Sequence, residues 1–143
     1  MTRFFTRIAA ASLMALVSTA AFAAEPENTL VISLKDGDVT IALRPDLAPK
    51  HVEQIKALTR KGAYDNVVFH RVIDGFMAQT GDVQFGNSAK EFNPAQAGMG
   101  GSDLPDIKAE FSQEPFVRGT VGMARAQSPD SANSQFFITF GDA

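Results

Sequence analysis

The 143-residue sequence contains no cysteine and no tryptophan, one tyrosine and two histidines. The missing cysteines exclude disulfides, thiol chemistry and lipid attachment through a thiol, which suits an oxidising compartment without requiring one. Two histidines 19 positions apart, His51 and His70, do not furnish a histidine-rich metal site without carboxylate help. No Gly-x-Ser-x-Gly elbow accompanies the serines, which speaks against a serine nucleophile. Gly98-Met-Gly-Gly101 lacks the Gly-Lys-Ser/Thr ending of a phosphate-binding loop. The formal net charge is −3 and no basic cluster stands out, so nucleic acid is not an expected partner. What the chain does have is 45% apolar residues and 12 phenylalanines, enough for one phenylalanine-rich core in one domain.

The first residues read separately from the rest. Met1–Arg7 carries Arg3 and Arg7, Ile8–Phe22 is uncharged and rich in Ala, Leu and Val, and Ala21-Phe22-Ala23 is a small-x-small cleavage site. That order matches a secretory signal peptide. As a transmembrane anchor the uncharged run is short of the roughly 20 residues a span needs. The expected organisation is therefore a signal peptide over 1–23, a linker over 24–29 and one domain over 30–143. The mature product is expected to be exported (periplasmic in a Gram-negative source), monomeric and without stable membrane association.

Leu30–Leu34 and Val39–Leu43 alternate apolar and polar residues about Asp36-Gly37, a two-residue hairpin signal. With Asp36-Gly37 as the turn, Lys35 faces Asp38, Leu34 faces Val39, Ile32 faces Ile41 and Leu30 faces Leu43, so six apolar side chains share one side. Pro49 to Lys61 reads as a helix, opened by proline, stopped by Gly62, with Val52, Ile55 and Leu58 as the apolar stripe and His51 on the solvated side. Val67–Ile73 and Phe76–Thr80, either side of Asp74-Gly75, read as a second hairpin. Residues 85–106 read as a long loop. Ala109–Phe111, Thr120–Arg125 and Gln135–Thr139 read as further strands, the last two joined by the polar turn Gln127–Ser134. Short strands around one helix predict a mainly β, antiparallel barrel or sandwich with a packed helix.

One side chain stands out chemically. Arg71 lies in an apolar strand, where a cation is costly unless it is paired or faces a ligand. Its surroundings, Phe69-His-Arg-Val-Ile-Asp-Gly-Phe-Met-Ala-Gln-Thr-Gly-Asp82, resemble the signature around the catalytic arginine of the cyclophilins. Gly122-Met-Ala-Arg-Ala-Gln-Ser-Pro-Asp-Ser-Ala-Asn-Ser-Gln-Phe-Phe-Ile138 resembles that family's second signature, and its Met-Ala-Arg form is similar to bacterial members. The hairpin, the helix and Ile107–Phe111 follow in family order.

The resemblance implies a cyclophilin-like β-barrel and peptidyl-prolyl cis–trans isomerase activity on proline-containing polypeptides, with no metal and no cofactor. It implies Arg71 as the catalytic residue and Phe76, Met77 and Phe137 as the proline pocket. Gln79 and Gln135 are implied as polar contacts, Ala124 and Ala126 as the adjoining groove, and the backbone of Arg125 as a peptide-binding edge. Strand alternation independently puts Gln135 and Phe137 on one face, opposite Phe136 and Ile138, and Ala124 with Ala126 opposite Met123. An ideal two-residue Asp74-Gly75 turn, however, puts Arg71 and Phe76 on one face and Met77 and Gln79 on the other. A common site then demands a bulge or irregular turn. Thr80 stands where many members have glycine. Because members continue past the Phe-Phe-Ile strand, the sequence is expected to stop before the barrel is complete. The alternative function is a groove that holds proline segments with little or no catalysis.

Overall fold

The structure, a computed structural model, describes residues 25–90 and 92–142. The leader expected over 1–23 lies outside these residues. The stretch expected as a linker carries a 3-10 turn, Pro26–Asn28, from which Glu27 reaches Arg60 and Lys56 on the helix.

β1 (Thr29–Leu34) and β2 (Gly37–Ala42) form the first antiparallel hairpin. Its turn is Lys35-Asp36, one place earlier than the dipeptide signal indicates. Gly37 supplies the positive φ, +133°, as the first residue of β2, not as the second residue of the turn. Leu34 therefore pairs with Gly37, Ile32 with Val39 and Leu30 with Ile41. The pairing is displaced by two residues, and since side chains alternate with period two, the apolar face survives the displacement. Leu30, Ile32, Val39 and Leu43 pack against the buried Ile41, while Leu34 is left exposed at the tip.

α1 (Pro49–Arg60) begins at proline and ends before Gly62, whose φ is +67°. Val52, Ile55 and Leu58 are buried, as expected, but so is His51. His51 sits four residues before Ile55 and so shares its face. It does not point to solvent, because Glu110 meets it there. The His51 Nδ1–Glu110 Oε2 distance is 2.6 Å, and the same carboxylate accepts from the backbone N–H of Lys50 and His51. Ala48, at the N-cap, offers no side-chain acceptor, so Glu110 does that work from 60 residues away in sequence. This use also explains why Ala109–Phe111 is not a strand. The Ala109 N–H donates to Asp130 Oδ1 at 2.8 Å and Glu110 turns to the helix, leaving only an isolated bridge between Ile107 and Ala132.

Burial pushes the Glu110 carboxyl upward, but hydrogen bonds from His51 and the two helix N–H groups outweigh it and hold the group below its ordinary 4.5. A carboxyl depressed on folding contributes stability that is present above the unfolded value and lost as the pH falls through the folded one. Glu110→Ala is accordingly expected to cost about 1–2 kcal/mol near neutral pH. The difference from the parent should shrink below pH 4.5. Urea titrations at several pH values check this; a pH-independent difference would contradict it.

The second sheet has four antiparallel strands in the order β3–β4–β6–β5. They are β3 (Arg71–Ile73), β4 (Met77–Thr80), β5 (Val121–Met123) and β6 (Phe136–Thr139). β3 is shorter than expected. Val67 makes only an isolated bridge to Asn87, and the Val68 carbonyl is taken by the Thr80 hydroxyl. Phe136, Val121 and Met123 point to the core, where they meet Ile41 of the hairpin and Ile55 of the helix. Tyr64 packs edge-on against Phe136, with ring centroids 5.8 Å apart, and donates its hydroxyl to the Ser134 carbonyl. Desolvation raises the Tyr64 phenol, so it stays a donor. The described residues thus form a mainly β unit with one α-helix between a hairpin and a sheet; the expected loop extends over the whole interval from β4 to β5.

Candidate active site

The β3–β4 connection settles which side chains share a face. Its loop has three residues, Asp74–Phe76, because Ile73 pairs with Met77, Val72 with Ala78 and Arg71 with Gln79. The Phe76 N–H donates to the Ile73 carbonyl at 3.1 Å, and Gly75 has φ +70°. A positive φ at the third position of such a turn, after an ordinary Asp74, is the type II arrangement that favours glycine there. The extra residue is the irregularity that the sequence demanded. Arg71, Met77 and Gln79 fall on one face, and Phe76 rides on the turn.

Across the sheet, Arg71 opposes Gln79, Gln79 opposes Phe137 and Phe137 opposes Gly122. This row lies on the face away from Phe136 and Met123. Arg71 donates from Nη1 to Gln79 Oε1 at 3.4 Å, a long bond. Gln79 Nε2 donates to Gln135 Oε1 at 2.9 Å, and Gln135 Nε2 donates to the carbonyls of Gly98 and Gly100 at 3.0 and 2.7 Å. Two carbonyls can only accept, so Gln135 must turn its amide N–H₂ to them. Its oxygen then faces Gln79, and the Gln79 oxygen is left for the guanidinium. Arg71 is exposed and has no carboxylate partner among the described residues.

The sequence-indicated residues sit around two joined regions. Phe76 is 45% exposed and Phe137 half-buried, whereas Met77, at 2%, is packed beneath the surface and has little area to offer a ligand. Beyond Gln79 and Gln135 lies a polar groove of about 420 Å³, bordered by Ala124, Arg125 and Ala126. Ala124 hydrogen-bonds through its N–H to the Gln135 carbonyl, and the Ala126 N–H is taken by Ser131. The Arg125 side chain folds onto the carbonyls of Ala126 and Gln127. Its own backbone N–H and carbonyl make no hydrogen bond among the described residues, so this edge is available to a peptide. Gln79 and Gln135 border both regions.

Three features escaped the sequence reading. Asp82, fully buried, accepts from Gln84 and Phe85 through Oδ1 and from Gly98 and Gly100 through Oδ2. It thereby fixes the loop whose carbonyls orient Gln135. Its place at the end of the first motif was the available signal. Phe116 stacks on Phe137 from a segment without periodicity, and nothing in the sequence pointed to it. His70 lies just outside β3 with both ring nitrogens buried and unpartnered among the described residues. Burial lowers its pKa below 6.5 and the nearby Asp82 opposes this only in part, so the ring is neutral at pH 7.

A guanidinium without a carboxylate partner among the described residues, an aromatic ring and two amides thus share one open face, beside a groove with a free backbone edge. The family described as "Cyclophilin type peptidyl-prolyl cis-trans isomerase/CLD" matches residues 29–143. The chain belongs to the cyclophilin-type peptidyl-prolyl cis–trans isomerases. It is 67% identical over 139 residues to a Brucella suis protein named "Probable peptidyl-prolyl cis-trans isomerase", covering 94% of this chain and 70% of that protein. Among solved structures it is similar to a cyclophilin of Hirschia baltica, with TM-score 0.67 and 27% identity over 83% of this chain and 59% of that one. It is likewise similar to a Cryptosporidium parvum cyclophilin type isomerase determined in the presence of the dipeptide Ala-Pro. That match has TM-score 0.67 and 30% identity over 80% of this chain and 69% of that one.

Proposed function

We propose that this chain accelerates rotation about X–Pro bonds in proline-containing polypeptides, with Arg71 as the catalytic residue. The observation that carries this reading is a guanidinium held by a neutral amide with no carboxylate against it among the described residues. Rotation must break amide resonance, at a barrier of about 18–20 kcal/mol. No bond is made or cleaved. At the twisted geometry the nitrogen lone pair is no longer shared with the carbonyl, and a donor aimed at that nitrogen stabilises it. Arginine is always protonated and presents a rigid fork of donors. Phe137 and Phe76 offer the proline ring an apolar seat, and the twisted amide, less polar than the planar one, is favoured there. The Arg125 backbone edge fixes the peptide on one side while the other side turns, so that binding favours the twisted state over either planar one.

Exchange spectroscopy by NMR on an X–Pro peptide tests the reading. The uncatalysed exchange takes tens of seconds, and substoichiometric protein is expected to bring cross-peaks between the two isomers within a sub-second mixing time. Saturable binding of the peptide with no faster exchange would select the alternative, a proline-segment binding module.

The leader-like order of Met1–Ala23 supports an exported protein that acts on chains folding after translocation. Among the described residues no helix is long and apolar enough to cross a membrane. An exported product whose N-terminus is Ala24 by mass spectrometry is expected; a cytoplasmic, uncleaved chain would contradict it.

A further inference from the structure

We infer that Phe116 is a positioning residue: it braces the ring of Phe137 against the Arg71–Gln79 row, and the missing side chain at Gly122 is what admits it. The inference rests on the proposed isomerase reading for its catalytic consequence, though not for its geometry.

In the row that crosses the sheet, Phe137 has Gln79 on one side and Gly122 on the other. A glycine there leaves space above the strand, and the rings of Phe137 and Phe116 share it. The ring of Phe116 stacks on that of Phe137, centroids 5.7 Å apart and planes 20° from parallel. A Cβ placed on Gly122 would stand 2.5 Å from Phe116 Cε1 and 2.8 Å from Phe137 Cζ. Neither distance leaves room for a methyl group, so a side chain at 122 and the stacked pair exclude each other.

Phe116 is 37% exposed, and its hold on the sheet comes from its neighbours in sequence. The segment that follows it is tied to β6, the strand that carries Phe137. The Val117 carbonyl accepts from the Thr139 hydroxyl at 2.6 Å, and the Gly119 N–H donates to the Thr139 carbonyl at 2.9 Å. Arg118 Nη1 donates to the Phe140 carbonyl at 2.8 Å. Thr139 itself is 1% exposed. Brace and braced ring therefore share one rigid frame, and the brace keeps its distance when a ligand presses on Phe137.

The test uses the full chain and four variants, F116A, F116L, G122A and F116A/G122A, with two readouts. One is kcat/KM for an X–Pro peptide. The other, free of any assumption about catalysis, is the nuclear Overhauser contact between the Phe137 ring and the Gly122 α-protons. F116A should lower kcat/KM about three- to tenfold, the scale of one aromatic pair. It should also change the contact, as the ring shifts into the space that Phe116 vacates. F116L, which keeps bulk but not the flat stack, should fall between. G122A should mimic F116A by displacing Phe116. In F116A/G122A the stacked pair is already broken when the methyl is added, so the loss should be smaller than the product of the two single losses, a non-additivity that independent structural damage would not produce. A folded F116A within twofold of the parent, with Phe137 unmoved, overturns the brace. So does a double variant whose loss equals the product of the two single losses. If F116A fails to fold, G122A decides alone, since its unchanged activity and ring contacts would overturn the inference. If the parent does not catalyse, the isomerase reading fails, and the ring contact alone supports or overturns the brace.

Discussion

Arg71→Ala lowers kcat/KM for a proline peptide by about 10²–10³, the scale of one preorganised donor aimed at developing charge. It is expected to leave the stability of the chain within about 0.5 kcal/mol of the parent. The two halves of this expectation have separate grounds. Arg71 is exposed and sits on the edge strand β3, and among the described residues its side chain makes one hydrogen bond, a long one to Gln79, so little folding free energy depends on it. It is nevertheless the one cation in the row with Phe137, and water is a poor substitute for a fixed donor at a twisted nitrogen. Arg71→Lys keeps the charge but loses the planar fork, and should recover only part of the rate. Retention of more than half the activity by Arg71→Ala in an exchange or protease-coupled assay would remove Arg71 from the mechanism.

Asp82→Ala is expected to have the largest effect on stability. It removes a carboxylate with 0% exposure and leaves the N–H groups of Gln84, Phe85, Gly98 and Gly100 without their acceptor. An orphaned buried donor costs about 1–3 kcal/mol. Since part of the loop can open to water, a total of about 2–4 kcal/mol is expected for the four together. In a domain of this size that lowers the thermal midpoint by roughly 10–20 °C. The site should feel it as well. Gly98 and Gly100 present the carbonyls that turn Gln135, so a loosened loop allows the Gln135 and Gln79 amides to flip. A midpoint within 3 °C of the parent, with Gly98 and Gly100 amide protons still protected from exchange, would contradict this account.

The sequence carried the strands and helix well because their signals are local. Alternation around Asp36-Gly37 and the Pro49-to-Gly62 interval depend on nearest neighbours alone. What it missed depends on groups far apart. His51 read as solvated because its burial is decided by Glu110, 59 residues on. Ala109–Phe111 read as a strand for the same reason. The turn of the first hairpin moved by one position because the dipeptide signal does not say where its glycine will place the positive φ. At the site, the resemblance named the row, and alternation alone put Gln135 and Phe137 together. Only the three-residue turn at Asp74–Phe76 brought Arg71 and Gln79 onto one face. Phe116 was out of reach, and Asp82 was signalled only by its place at the end of the first motif: a buried carboxylate and a stacked ring show their roles through what surrounds them.

The identity of the residue beside Arg71 has an electrostatic consequence. A glutamate at position 79 would grip the guanidinium harder, but it would also cancel the positive potential that the side chain projects into solvent. An amide oxygen orients the same group through a dipole and leaves the formal charge intact. The grip is weak by construction, at 3.4 Å, and an incoming ligand atom can therefore compete for the same N–H donors without first breaking an ion pair. Neutrality at residue 79 is what leaves the cation at the cleft uncommitted.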